Sequence, residues 1–512
     1  MSQFTGAESH RAFADWIAVQ PEPEYVWQSD AYTLGARGLS LVCNDPIASA
    51  MANAYVQGIH GPLGLRLESA HDSQPDQADT KDSDRRTRRA ITALCADTWY
   101  GTDIDAGGLL TRREIERVLS WTQFAIGDAW AIRQFKPGRK DSSFSTCWRL
   151  IPPHRVSNNG WRQNDENMRD GVIYSNGNVS GIYVETTPIG SWASTSSRTW
   201  TRVDWYAPDG TPNVLHRCGP RLLGMSRGVT MMAPAIMTMR QAAGILEAHV
   251  MGKRIQAMFP LIFKVGDPEQ FKIYQQSRAA FTPGMKLGPT STLVTGPDDS
   301  LELPDVKYDG ADFKECMLTI WRAQCAAIGF PLEVVLAMMG DASLASAKAG
   351  LDLFDRQCQT YQEDAIDQVS RQIDRASIAE ARVTGRISIP DGTPWARIMA
   401  GEYTRPPKYS VDRKKDMETV KAAQEAGASG TTAFKMVGMR WEDEQENKRA
   451  EAEFLAAQGM QPNQTSGAGA PPTPAPTDSG NAPAPEVQNQ TAPTVATATN
   501  WIGRIIKRKR TP

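Results

Sequence analysis

The chain lacks the local signatures that most enzymes carry. No GxxxxGK[ST] phosphate loop, HExxH helix or GxSxG elbow occurs in its 512 residues. Its six histidines are scattered along the chain, and its many carboxylates form no motif that singles out a pair. Triads assemble in space rather than in sequence, so these absences weigh against catalysis without deciding it. They leave no catalytic residue, metal ligand or cofactor to assign. A basic surplus is also missing: 56 Lys and Arg stand against 58 Asp and Glu, a formal net charge of −2. Proteins that grip DNA usually carry a clear excess of cations. This chain therefore either avoids nucleic acid or touches it without sticking. Its seven cysteines are scattered and never form CxxC, which points to reduced thiols rather than to a disulfide framework or zinc. No apolar run is long enough to span a bilayer. The first residues contain no apolar signal core. The expectation is a chain without membrane contact, made and used in a cytoplasm.

What is present begins with a loose, partly helical arm over residues 1–40. Asp45 and Pro46 suit the N-cap and first position of a helix over Pro46–Val56, and Leu63, Leu65 and Leu67 then alternate as in a strand. Arg85-Arg86-Thr87-Arg88-Arg89 reads as a solvated helix start. Thr111-Arg-Arg-Glu114 fits a capping box, with Ile115, Val118, Leu119, Phe124 and Ile126 close to one face of the following helix. Gly127 ends it. Trp130 and Ile132 share one side of a strand in AWAIRQF. Strands with Gly, Asn and Ser turns fill residues 147–203, and SNGN (Ser175–Asn178) is a tight hairpin signal. The first 200 residues read as an α+β region.

A strand-like NVLHRCGP (Asn213–Pro220) and a turn, MSRGVT (Met225–Thr230), lead into a long helical run bounded by Pro234 and Pro260. At ~1.5 Å per residue it reaches roughly 35–40 Å. Met232, Ile236, Met239, Ala243, Leu246 and Val250 follow helical spacing, so it packs against its own fold or against copies of itself. His216 reads as a packed strand histidine. A short segment of strand, helix and strand signals follows, then a second helical run over Ala311–Val335 and the small-residue stretch GDASLASAKAG (Gly340–Gly350). Leu351–Thr384 has no Gly or Pro and keeps apolar residues three or four apart, the strongest helix signal in the chain. GRISIP reads as a short strand, and VDRKKDMETVKAAQEA and WEDEQENKRAEAEFLAAQ as solvated helices. Residues 457–500 have no aromatic residue and are rich in Pro, Ala, Thr and Gly, a composition that stays disordered. The end, WIGRIIKRKRTP, sets Trp501 and Ile505 beside Arg508 and Arg510, either a docking peptide or an unselected basic tail.

Several phrases occur in an order that resembles the portal proteins of tailed double-stranded DNA phages, of the lambda-like family. They are NDPIASAMANAYVQGIHGPLGLRL, REIERVLSWTQFAIGDAWAIRQF and WRLIPPHRVSNN. The most specific is VLHRCGPRLLGMSRGVTMMAPAIMTM, with His216, Gly224, Arg227, Gly228 and Pro234. The last is GFPLEVVLAMMGDASLASAKA, with Gly329, Glu333, Ser346, Lys348 and Ala349. Lys348 stands where the family usually has arginine, and Leu332 where an aromatic is common.

The resemblance implies an α+β portal fold with wing, helical stem, small α/β clip and helical crown. On this chain it implies an arm at 1–40, wing at 41–230, first stem helix at 231–258, clip at 259–306 and second stem helix at 307–335. It then implies a channel loop at 336–350, a long wing helix and return at 351–404, a crown at 405–456 and a tail at 457–512. The implied protein is a non-enzymatic homo-oligomeric ring, usually a dodecamer, at one capsid vertex of the virion. Its partners are double-stranded DNA in the channel, the terminase large subunit, neck and head-completion proteins, and the major capsid and scaffold proteins. A terminase-like packaging enzyme or another head or neck component is the alternative. Asp341, Ser343, Ser346 and Lys348 are the implied channel-facing residues, and Trp501, Ile505, Arg508 and Arg510 the tail docking residues. Lys348 otherwise reads as an ordinary lysine in a helix's first turn.

Phe259, Leu261 and Phe263 alternate in a segment too thin to hide its strand edges alone. Isolated residues 255–308 should associate or fold poorly on gel filtration and circular dichroism. A stable monomeric fragment contradicts this.

Overall fold

The computed structural model describes residues 23–62, 64–70, 81–139, 142, 144–186, 198–219, 223–258, 262–264, 267, 269–270, 272–273, 293–295, 310–337, 344–390, 392–406, 413–436 and isolated positions between 441 and 452. The chain divides into two units, Met1–Asp443 and Glu444–Pro512. Among the described residues no helix is long and apolar enough to cross a membrane.

The first element is α1, Pro23–Asn44, where the sequence reads as a loose arm. Ala31, Gly35, Gly38 and Val42 form its buried face. A Cβ at Gly38 would stand 2.3 Å from the carbonyl oxygen of Ala125. The glycines that look like breakers are there so that two backbones can touch. Next is α2, Pro46–His60, capped by Asp45, whose side chain accepts from the Ile47 and Ala48 N–H groups. It runs one turn past the expected Val56 before Gly61 ends it at a positive φ of 52°. After β1 (Arg66–Ser69) and α3 (Lys81–Tyr100), α4 covers Arg112–Ile126. Its capping box is complete, with Thr111 and Glu114 bonding reciprocally, and Gly127 closes it in the left-handed region.

The central sheet is three-stranded and antiparallel, in the order β3 (Thr146–Ile151), β2 (Asp128–Phe135), β8 (Val214–Cys218). On one face Ala129, Ala131, Trp148 and Leu215 pack under Ile115 and Leu119 of α4. On the other, Trp130, Ile151 and Val214 meet Val172, Ile182 and Val184. These last belong to a second antiparallel sheet, β4 (Met168–Arg169), β5 (Val172–Ser175), β6 (Asn178–Glu185), β7 (Trp200–Asp204). The expected hairpin at SNGN joins β5 to β6, with Asn176 and Gly177 both at positive φ, the geometry of a type I′ turn.

Two long helices follow: α5, Ile236–Met258, and α6, Gly310–Ile328. Between them only a parallel pair, β9 (Ile262–Lys264) with β10 (Leu293–Thr295), and isolated positions are described. The second helix stops seven residues short of the expected Val335. Gly329 takes a φ of 85° and Pro331 starts a separate turn, α7, Leu332–Val335.

The strongest helix signal is real but longer and not uniform. It starts as α8 at Leu344, passes through a π-helical turn at Ile366–Ser370, and continues as α9, Arg371–Val383. GRISIP is no strand. Ile387 and Ile389 are buried in the core, outside any sheet among the described residues. The strand lies further on: β11, Gly401–Thr404, pairs antiparallel with β1. A short helix, α10, Trp395–Ile398, precedes it, and α11 (Arg413–Glu425) and α12 (Gly430–Met436) end the described body.

A buried polar cluster knits α3, α4, α9 and β11 together. Arg112, only 1 % exposed, donates to both carboxylate oxygens of Asp374, to Glu116 Oε1 and to Thr98 Oγ1. Tyr403 donates to Asp374 Oδ2 (2.9 Å), and Ser370 Oγ to Glu116 Oε1 (3.1 Å). His60 completes it: Nε2 lies 2.8 Å from Ser120 Oγ, and Nδ1 3.8 Å from Glu116 Oε2. Burial, with Arg217 and Arg117 adding to it, pushes the His60 imidazole down to about 3. Glu116 does not reverse this, because burial pushes its own carboxyl up and its charge is engaged by Arg112.

An unfolded histidine titrates near ~6.5. The folded chain keeps its full stability above that pH and loses it as the pH falls toward 3, by about 2 kcal/mol at pH 5 for this one group. The urea midpoint of wild type should therefore drop between pH 7.5 and pH 5 by more than that of His60→Gln. Equal drops contradict a neutral, buried His60.

Candidate functional site

The phrase that precedes α5 is built into the sheet floor. Arg227 is 5 % exposed, yet every group of its guanidinium is engaged. Nε donates to Asp128 Oδ2 at 2.6 Å and Nη2 to Asp128 Oδ1 at 3.1 Å. Nη1 donates to the carbonyl of Val156, and Nη2 to that of Pro153. Burial alone would raise the Asp128 carboxyl; Arg227 and the nearby His216 outweigh it and hold the group at about 2. His216 lies flat on Trp130, with ring centroids 3.6 Å apart and planes 6° from parallel. It is the packed histidine that its strand position implies.

Gly228 follows at a point where only glycine fits. A Cβ there would stand 2.4 Å from the carbonyl oxygen of Gly127 and 2.7 Å from the backbone nitrogen of Gly219. Three backbone segments thus cross without side chains between them. Thr230 Oγ1 and the Met231 N–H then donate to the Phe124 carbonyl. Met231, Met232, Ala235 and Met239 enter the main core with Cys325, Ile328 and Phe330. The base of α5 is therefore fixed to the end of α4 and to the start of β2.

Beyond this base α5 leaves the body with α6 antiparallel beside it. His249, just past the middle of α5, stacks on Phe313 near the start of α6, with centroids 3.8 Å apart. On α6, Met317, Gln324 and Cys325 are buried, while Lys314, Glu315 and Cys316 are exposed. Large apolar side chains of α5 are open to solvent: Met237 at 69 %, Leu246 at 45 % and Met251 at 50 %. They lie on more than one side of the helix, so α6 alone cannot cover them. A helix apolar on several sides calls for more than one neighbour.

The channel-facing candidates fall between α7 and α8. Asp341 and Ser343 lie outside the described residues, and Ala337, the last described before them, has a φ of 54°. Ser346 and Lys348 lie in the first turns of α8, so the helix already runs where a loop is expected, and their side chains lie outside the described residues. The tail residues Trp501, Ile505, Arg508 and Arg510 also lie outside them.

Sequence reasoning missed the polar groups that fix the scaffold. Arg112, Glu116, Ser120 and Gln123 are all buried on α4, whereas Val118, expected on its apolar face, is 41 % exposed. The helical spacing of those four polar residues was the available signal. Arg217 was missed too. It donates to the hydroxyl of Tyr55 (3.0 Å) and to Gln368 Oε1 (3.0 Å) in the π turn, which also accepts from the Cys218 N–H.

The profile of the phage portal proteins, lambda family, matches residues 9–362. That stretch contains the Arg227–Asp128 anchor, both long helices and the start of α8, and it defines a phage portal protein. The chain belongs to the lambda family of these proteins. Among solved structures it is similar to a chain of the "Neck of empty GTA particle computed with C6 symmetry", at 12 % identity and a TM-score of 0.44, over 80 % of this chain and 94 % of that one. It is also similar to a chain of the "Neck of native GTA particle computed with C12 symmetry", at 14 % identity and a TM-score of 0.42, over 80 % and 94 %. Curated proteins give no significant match.

Removing one partner of a buried pair leaves the other charge stranded, at a cost of about 3–5 kcal/mol. Arg227→Met should lower unfolding stability by that amount in urea. Adding Asp128→Asn should recover part of the loss, because no charge is then left unpaired. A single-variant loss below about 1 kcal/mol would remove the anchor from the account.

Proposed function

We propose that copies of this portal protein close into a ring, a dodecamer, at the unique capsid vertex, through which DNA enters during packaging and leaves at ejection. The observation that carries this is the solvent-exposed apolar surface of α5 on a helix whose base is rigidly anchored. Residues 41–230 serve as the wing, 231–258 and 307–335 as the stem helices, 259–306 as the clip, and 405–456 as the crown. The clip is the docking platform for the terminase large subunit and, later, for neck proteins. The outer surface meets the scaffold and major capsid proteins as the particle assembles in the host cytoplasm. The protein performs no chemistry of its own.

The near-neutral composition suits a conduit. Each phosphate that a subunit neutralises adds salt-dependent affinity, and a ring multiplies that affinity by its subunit number. DNA that must slide needs few such contacts. Asp341, Ser343, Ser346 and Lys348 face the channel, with Lys348 as the cation among them. In the tail, Trp501, Ile505, Arg508 and Arg510 form an apolar-basic hook for a partner.

Leu246→Glu should abolish the ring in native mass spectrometry and leave a folded monomer with an unchanged melting temperature. A ring that still forms contradicts the role given to α5. Lys348→Glu should alter packaging or retention of DNA while ring assembly persists. Collapse of assembly would make Lys348 a structural residue.

A further inference from the structure

Two of the exposed apolar side chains of α5 are chemically reactive. Met237 is 69 % exposed and Met251 50 %, whereas Met231, Met232 and Met239 nearby are buried in the main core. The exposed pair stand roughly 21 Å apart along the helix, and at ~100° per residue they lie about 200° and 240° around its axis from His249. His249 marks the side that α6 covers, through its stack on Phe313. Both methionines are therefore on the side turned away from α6. Gly244 falls midway between them on that same side, and a Cβ there would meet nothing within 4 Å. Glycine weakens a helix interior, so its presence calls for a reason. Gly38 and Gly58, inside α1 and α2, have one within the subunit: a Cβ would stand 2.3 Å and 2.4 Å from a neighbouring segment. Among the described residues Gly244 has no such neighbour. In a closed ring a second copy supplies it, seated over Met237, Gly244 and Met251.

Methionine suits such a seam as long as it remains a thioether, because its unbranched, polarizable side chain fills irregular gaps. Hydrogen peroxide changes that. The sulfur attacks one peroxide oxygen: an S–O bond forms, the O–O bond breaks, and hydroxide leaves, taking the proton of the transferred oxygen to become water. Sulfur loses two electrons and peroxide gains them. The product, methionine sulfoxide, is polar where the thioether was apolar, and it disrupts methionine-rich interfaces. Its oxygen binds water in the free subunit and gives that water up in a closed interface.

The reaction needs contact with solvent, so the state of assembly decides it. We infer that Met237 and Met251 form a peroxide-sensitive modification site on α5: oxidation of both to the sulfoxide before assembly keeps a subunit out of the ring, and the closed ring shields them. The inference rests on the ring reading above and is separable from it.

Unassembled and ring fractions of the full-length chain are separated by gel filtration and treated with dilute hydrogen peroxide. Dithiothreitol then restores the exposed thiols of Cys43 and Cys316 and leaves sulfoxide in place. In unassembled chains, peptide mass spectrometry should find Met237 and Met251 oxidised at least about tenfold faster than the buried Met231, Met232 and Met239. In rings all five should react equally slowly. Oxidised unassembled chains should then give about tenfold fewer rings in electron microscopy, at an unchanged melting temperature. Chains carrying both Met237→Leu and Met251→Leu should assemble after peroxide as they do without it. Oxidised wild type that closes rings in full yield overturns the inference, and so does a double variant that loses rings to peroxide as wild type does. Intact rings in which both positions oxidise freely show that no neighbour covers them, which also overturns it while leaving the ring standing. Untreated wild-type chains that never form a ring overturn the ring reading and the inference together.

Discussion

Arg227 carries a charge into the protein interior, and the placement of α5 follows from how that charge is satisfied. Its partner Asp128 is the first residue of the central strand, and its carbonyl partners lie in the 3₁₀ turn and loop between the two sheets. Both groups have given up hydration that only this geometry returns. The segment from Met225 to Met232 therefore has one position against the sheets. Gly127 and Gly228 remove the side chains that would prevent it. A helix launched from so fixed a base can project its apolar surface in a defined direction, which a subunit in a closed ring requires. A soft base would let α5 swing and the ring lose register.

The remaining buried polar groups do similar work deeper in the body. The Arg112–Asp374–Glu116 cluster joins four elements that are distant in sequence, and Arg217 ties β8 and α2 to the π turn. After the π turn, α9 reaches both cores. Ile373 and Ala376 pack against the central sheet, while Ile378 and Ala381 join Phe354 and Cys358 of α8, with Tyr55, in the main core. An unbroken α-helical phase would rotate Gln368 and Ser370 away from their partners. These networks add specificity where apolar packing alone would accept several registers.

Much of this architecture was legible in the residues. The Asp45 cap, the Thr111–Glu114 box, the Gly127 stop, the SNGN hairpin and the two long helices around a small insert follow local rules that tertiary structure did not override. The misreadings share a physical cause. In α1, Gly35 and Gly38 lower helix propensity but permit close packing, which a single sequence does not display. In β11, four residues with one buried tyrosine carry too little alternation to register. In GRISIP, two buried isoleucines imitate a strand that has no partner. The anchor was legible only as a family phrase, because nothing in MSRGVT says that Arg227 reaches back 99 residues to Asp128. The apolar side chains of α5 were visible in sequence, but their exposure was not, since it depends on where the body ends.

The central claim is that the long antiparallel helices serve a pore shared by identical neighbours. Negative-stain electron microscopy of the purified full-length chain tests it most directly. The account predicts end-on views of a ring with a hole at its axis. Compact single-subunit particles without a hole, across salt and protein concentration, would contradict it.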